Sequence, residues 1–172
     1  MRSSRVFFLI GLLVVAAAGS WLYLSHQRSP IGDRITVYYT STDGKTETPW
    51  SVSMRPQEKG ESAAEHLHNA ALYAATQAIA GPPSTIQAVR FPVGTHLRSI
   101  DVTGSTANLD LSNEVKAQTG TFDESGEFKE LVWTLTALPG INAVGIRVDG
   151  QRLDTLPGGH LELDTPLHRS DW

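Results

Sequence analysis

Residues 62–83 read SAAEHLHNAALYAATQAIAGPP. Ser62 stands three positions before Glu65, the spacing of a capping box. In that motif the serine hydroxyl meets the Glu65 amide and the Glu65 carboxylate reaches back to the Ser62 amide. Leu67, Ala71, Ala74 and Ala78 then recur on one helical face, with Ile79 beside them. Most of that face is alanine, so the helix has little bulk there and can lie close against a sheet. Gly81, Pro82 and Pro83 end it.

Strand patterns flank this helix. Before it, ITVYYTS (35–41) alternates, with Ile35, Val37 and Tyr39 on one face and Thr36, Tyr38 and Thr40 on the other. Asp43-Gly44 is a hairpin signal. TPWSVSM (48–54) then places Trp50, Val52 and Met54 on one face of a second strand. After the helix, residues 86–96 read as a short extended piece closed by Pro92-Val93-Gly94. LRSIDV (97–102) and ANLDLS (107–112) are two strands joined through TGST. Residues 113–127 read as a polar connection. Phe128, Leu131, Val132, Leu135 and Leu138 follow at i, i+3, i+4, i+7 and i+10, the stripe of an amphipathic helix that Pro139-Gly140 stops. AVGIRVDG (143–150) carries a last strand. The order β-β-α-β-β-α-β predicts an α+β domain in which two helices pack on one face of a mixed four- to five-stranded sheet.

The other end of the chain says where this domain works. Val6 to Leu24 contains no charged residue. Nineteen helical residues span about 28 Å, close to the hydrocarbon thickness of a bilayer. Trp21 and Tyr23 suit the membrane–water interface, and Arg2 and Arg5 place the N-terminus on the cytoplasmic side. These features predict a retained single-pass anchor over residues 1–28, a linker over 29–33 and an extracytoplasmic domain over 34–169. The alternative is a secreted domain, released by cleavage after Ala18. Beyond residue 30 the chain holds all 18 acidic residues but eleven of the 14 basic ones, a formal charge of −7. An acidic surface argues against nucleic acid as a partner. The sequence has no cysteine, so neither disulfides nor a lipid-acylated cysteine can serve this domain.

Several pieces in order (ITVYYTSTDG, AAEHLHNAALYAATQAIAGPP, FPVGTHLRSIDVTGSTANLDLS, VWTLTALPGINAVGIRVDGQ and LPGGH with PLHR) give the chain a family likeness. It resembles the GerMN domain family of sporulation and germination proteins over roughly residues 34–169. The resemblance implies an exported, non-catalytic module of bacterial envelope proteins. It also implies a fold similar to the ring-building motifs of secretion and sporulation channels.

Candidates for chemistry are few. Glu61, Glu65 and His68 share one helical face at i, i+4 and i+7, which suggests a metal site, with His96 or His160 as distant ligands. Glu65, however, is already used by the capping box, His66 points elsewhere, and a solvated face explains the pattern. Ser112 with Asp110 lacks the surroundings of a nucleophile elbow, and both residues suit backbone capping at a strand end. Neither a Walker A nor a dinucleotide motif occurs. Trp50 and Trp133 read as core or half-buried positions, and Trp172 as exposed. No catalytic, cofactor or metal residue is assigned. Thr36, Tyr38 and Thr40, on the face of the first strand opposite the core, are the expected contact surface for an envelope protein or a second copy. The leading reading is a binding or assembly module; the alternative is a ligand-binding or enzymatic domain acting on wall polymer.

Overall fold

The computed structural model describes Gly19 and residues 29–117, 121–155 and 161–172, with only the backbone of 121–124. The expected anchor over 6–24 lies, Gly19 apart, outside the described residues. No helix among the described residues is long and apolar enough to cross a membrane.

Seven elements follow the predicted order: β1 (Arg34–Thr40), β2 (Glu47–Ser53), α1 (Ala63–Ala80), β3 (Leu97–Thr103), β4 (Thr106–Leu111), α2 (Thr121–Leu135) and β5 (Ala143–Val148). Both bonds of the capping box form at α1, Glu65 N–H to Ser62 Oγ at 3.1 Å and Ser62 N–H to Glu65 Oε2 at 2.8 Å. Ala70, Ala71, Ala74, Ala75 and Ala78 are fully buried, which lets α1 run close against β1, β3 and α2. Gly81 ends the helix at a positive φ of 85°, a conformation that costs glycine no Cβ clash.

The sheet differs from expectation. The strands form two sheets: an antiparallel β1–β2 hairpin, and a three-stranded sheet in which β3 and β4 are antiparallel and β4 and β5 parallel. Among the described residues no strand covers the edge of β1 that faces away from β2, because α2 lies there. The Tyr38 amide donates to Thr134 Oγ1 at 2.9 Å and the Thr40 amide to Glu130 Oε1 at 2.8 Å. Buried backbone donors must be satisfied, and here helix side chains do what a neighbouring strand would do.

A second correction concerns α2. It begins at Thr121, inside the stretch read as a polar connection. Polar residues are no obstacle to a helix whose first turns pass a crowded spot. Gly126 lies so close to the loop before β3 that a Cβ there would sit 3.1 Å from both methyls of Val89. The apolar stripe then falls as expected: Phe128, Leu131, Val132 and Leu135 are fully buried, and Leu138 nearly so. They meet Leu109 and Leu111 of β4, Val144, Ile146 and Val148 of β5, and Val37 of β1 in one core. The outer edge of β5 is closed by the C-terminal segment, where Val144 and Leu167 exchange backbone hydrogen bonds of 2.9 and 2.8 Å.

Candidate functional site

The expected contact face of β1 is only partly available. Thr40, read as outward-facing, is fully buried. Its hydroxyl lies 2.8 Å from Glu47 Oε2 and 3.2 Å from the Gly126 carbonyl, because α2 overlaps this end of the strand. Tyr38 is half-buried. Its ring centroid is 5.8 Å from that of Trp133, and the Arg169 guanidinium carbon lies 5.5 Å from the Tyr38 centroid and 4.6 Å from that of Trp133. Arg169 is held by Nε to Thr136 Oγ1 and by Nη2 to the Trp133 carbonyl, both at 2.7 Å. The C-terminal turn therefore closes over Tyr38. Trp172 is anchored rather than free, its Nε1 donating to Ser125 Oγ at 3.2 Å. What stays accessible on this face is Thr36, half-buried, with Pro49 and Ser51 of β2, which register against Tyr38 and Thr36. Trp50, expected to be at least half-buried, is 39% exposed, on the edge strand of the two-stranded sheet.

The buried end of this face holds a carboxyl that sequence reasoning missed. Glu130 is fully buried, and desolvation raises its pKa to about 9 despite the Thr40 amide; the nearby Glu47 and Glu127 push the same way. It is a neutral acid at pH 7. Glu47 itself lies 3.0 Å from Lys129 Nζ, which also donates to the Gly44 carbonyl. Glu130 and Thr134 stand at i and i+4 on α2, a spacing that marks a shared face, but nothing local marks that face as turned inward.

At the N-terminus of α1 two of the three candidate ligands, Glu61 and Glu65, take structural roles, and His68 lines a surface cleft. The Glu61 carboxylate accepts from Arg55 at 2.8 and 3.1 Å, from the Glu58 amide at 2.9 Å and from Asn69 Nδ2 at 2.7 Å. The Arg55 pairing leads in pulling its pKa down to about 2. His66 is fully buried, with Nδ1 3.2 Å from Glu61 Oε2 and Nε2 without a hydrogen-bonding partner among the described residues. Glu65 is held by the capping box. Among the described residues no group of three His, Cys, Asp or Glu side chains is placed to hold a metal ion. His160 lies outside the described residues. Ser112 and Asp110 cap backbone: Ser112 Oγ accepts the His96 amide at 3.1 Å, and Asp110 Oδ1 the Gly150 amide at 2.7 Å.

The loop carrying Arg55 and Glu61 forms one wall of a cleft of about 660 Å³. The N-terminal half of α1 and the β3 residues Asp101 and Val102 form the others. A smaller depression of about 420 Å³, lined by Ser53, Met54 and Tyr73, adjoins it and shares Arg55 and Asn69.

This β-β-α-β-β-α-β arrangement, a hairpin and a three-stranded mixed sheet around two helices, is the architecture of GerMN-type domains. The chain belongs to the family described as Germane: Sporulation and spore germination, whose model matches residues 36–154. The first GerMN domain of the sporulation protein GerM from Bacillus subtilis superposes with a TM-score of 0.60 at 26% identity, over 80% of this chain and 98% of that one. The tandem GerMN domains of the same protein give 0.61 at 24% identity over 80% of this chain; the match spans 46% of that longer chain, about half its length. A putative lipoprotein from Clostridium perfringens gives 0.55 at 24% identity, over 84% of this chain and 93% of that one. No curated protein matches by sequence.

Proposed function

We propose that the protein is a non-catalytic, membrane-anchored, extracytoplasmic module that binds another envelope protein, or a second copy, in the service of sporulation or germination. The observation that carries this reading is the employment of its polar groups. Ser112, Asp110, Glu61 and Glu65, the side chains that chemistry could use, each hold backbone or a neighbouring side chain in place. A function rests on a site rather than on a fold, and these residues build the fold. The family membership supports the link to sporulation and germination. The charge-free Val6–Leu24 run supports anchoring. The contact surface is the open part of the hairpin face, with Thr36, Pro49 and Ser51 around the edge of Tyr38. Confinement to a membrane would raise the effective concentration of a weak contact there.

The test is crosslinking in cells from a photoreactive residue at position 51, with position 93 as control, since Val93 is fully exposed at the tip of another loop. Partner bands from 51 that exceed those from 93 support the hairpin face. Equal bands from both, or none, count against it. Turnover of wall polymer that is abolished by Ser112→Ala or Glu65→Gln would overturn the non-catalytic reading.

A further inference from the structure

The three-stranded sheet has one covered edge and one open edge. β5 is closed by Leu167, whereas β3 is last in its sheet and, among the described residues, pairs only with β4. β3 and β4 are joined by the two-residue turn Gly104-Ser105, with Thr103 opposite Thr106. In such a hairpin the residues flanking the turn exchange hydrogen bonds and alternate pairs do not. Ile100 and Val102, opposite Leu109 and Ala107, therefore turn their amides and carbonyls away from β4. Among the described residues neither makes a backbone hydrogen bond beyond its sheet. Of the two, Val102 lines the 660 Å³ cleft, where it forms one wall with Asp101, and Ile100 lies just before them on the same strand.

The charge of the cleft selects the occupant. Its walls carry four carboxylates, Glu58, Glu61, Glu65 and Asp101, against two cations, Arg55 and Lys59. Arg55 is spent on Glu61 at 2.8 Å and on Glu58 at 3.2 Å, so the remaining field is negative. We propose that the cleft takes an extended, lysine- or arginine-bearing segment of a partner protein, which adds as a strand to the open edge of β3. Backbone bonds to Ile100 and Val102 would set the register. Basic side chains of the segment would meet Asp101 and Glu65 across the cleft. The Ser29 amide bonds to Gln57 Oε1 at 2.9 Å, so the chain enters the domain at the loop that walls this cleft. With only four residues between Leu24 and Ser29, an anchored domain would present the cleft close to the membrane surface. The inference rests on the reading of the domain as a binding module, not on the hairpin face.

The test uses the full chain in non-ionic detergent, with two fluorescent hexapeptides as probes, one alternating lysine and valine and one alternating glutamate and valine. The expected result is salt-sensitive anisotropy with the lysine peptide only, and slowed amide exchange over residues 97–103. Asp101→Lys, at an exposed position, should weaken binding roughly fivefold. Val102→Pro removes an edge amide and should also weaken it. Equal binding of both peptides, binding indifferent to both variants, or no slowing of exchange at β3 would overturn the cleft. If crosslinks from position 51 persist while the lysine peptide fails to bind, the binding-module reading stands and the cleft alone falls. If the lysine peptide binds as expected while position 51 yields no bands, the hairpin face alone falls.

Discussion

Glu130 on α2 accepts the backbone amide of Thr40 on β1 at 2.8 Å, across ninety residues of sequence. That bond and its neighbour from Tyr38 to Thr134 Oγ1 fasten a strand edge to a helix. A buried carboxyl is costly when ionised, so it does this work as a neutral acid.

The pH dependence follows. The folded pKa of Glu130 is raised to about 9 from an ordinary 4.5, so between those values the folded state holds a proton that the unfolded chain has lost. Its contribution is complete below pH 4.5 and is lost as pH rises toward 9, at up to about 1.4 kcal/mol per unit. Glu61 and Glu65, with lowered pKa values, act in the opposite sense and only at acid pH. Glu130→Gln keeps the acceptor without the charge. Denaturant melts from pH 5 to 8.5 should show a falling midpoint for the native protein and a flatter one for Glu130→Gln. Glu130→Ala should cost about 1–3 kcal/mol at pH 6 by stranding the Thr40 amide. Parallel pH profiles for the native and glutamine proteins would refute the assignment.

Leu135 is fully buried in the middle of the apolar stripe of α2. Leu135→Ala should cost about 2–5 kcal/mol, from lost transfer energy and the cavity left behind. Leu72, on the open side of α1 and 41% exposed, supplies the contrast: Leu72→Ala should fall within about 0.5 kcal/mol of the native protein. Equal losses at the two positions would mean that the stripe does not face the core.

Arg169 stacks on Trp133 and Tyr38 and makes 2.7 Å hydrogen bonds to the Trp133 carbonyl of α2 and to Thr136 just after it. Arg169→Gln should loosen the C-terminal turn, cost about 1–2 kcal/mol and make tryptophan fluorescence more accessible to acrylamide. Arg169→Lys should restore little of this, because an ammonium cannot make both in-plane bonds. Rescue by lysine would show that charge alone holds the turn.

The N-terminal run of nineteen uncharged residues leads us to expect a protein that fractionates with membranes and keeps its N-terminus. Intact mass decides the matter. A mature chain beginning near Gly19 or Ser20 would show a cleaved signal instead.

Much of the fold was legible locally. The capping box and alanine face announce α1, the five-residue stripe announces α2, and alternation announces β1, β3, β4 and β5, because burial against a core imposes a period on each element separately. The structural roles of Asp110 and Ser112 were legible too, since short polar side chains at strand ends have nearby backbone to serve. The buried places of Glu130 and Thr134 were not. A glutamate beside an apolar stripe reads as solvent-facing, and only the docking of α2 along the free edge of β1 turns it inward.

By itself, the sequence determined the order of helices and strands, the apolar stripes of the two helices, and the acidic charge of the chain beyond residue 30. Tertiary structure alone decided that β1 and β2 stand apart from β3, β4 and β5, that Thr40 is buried and Tyr38 covered by Arg169, and that no described strand pairs with the outer edge of β3. The physical reason is that hydrophobic periodicity is a property of one element. The pairing of a strand's outer amides and the cover over an aromatic ring depend on whichever segment arrives beside them, here from 90 and more residues away.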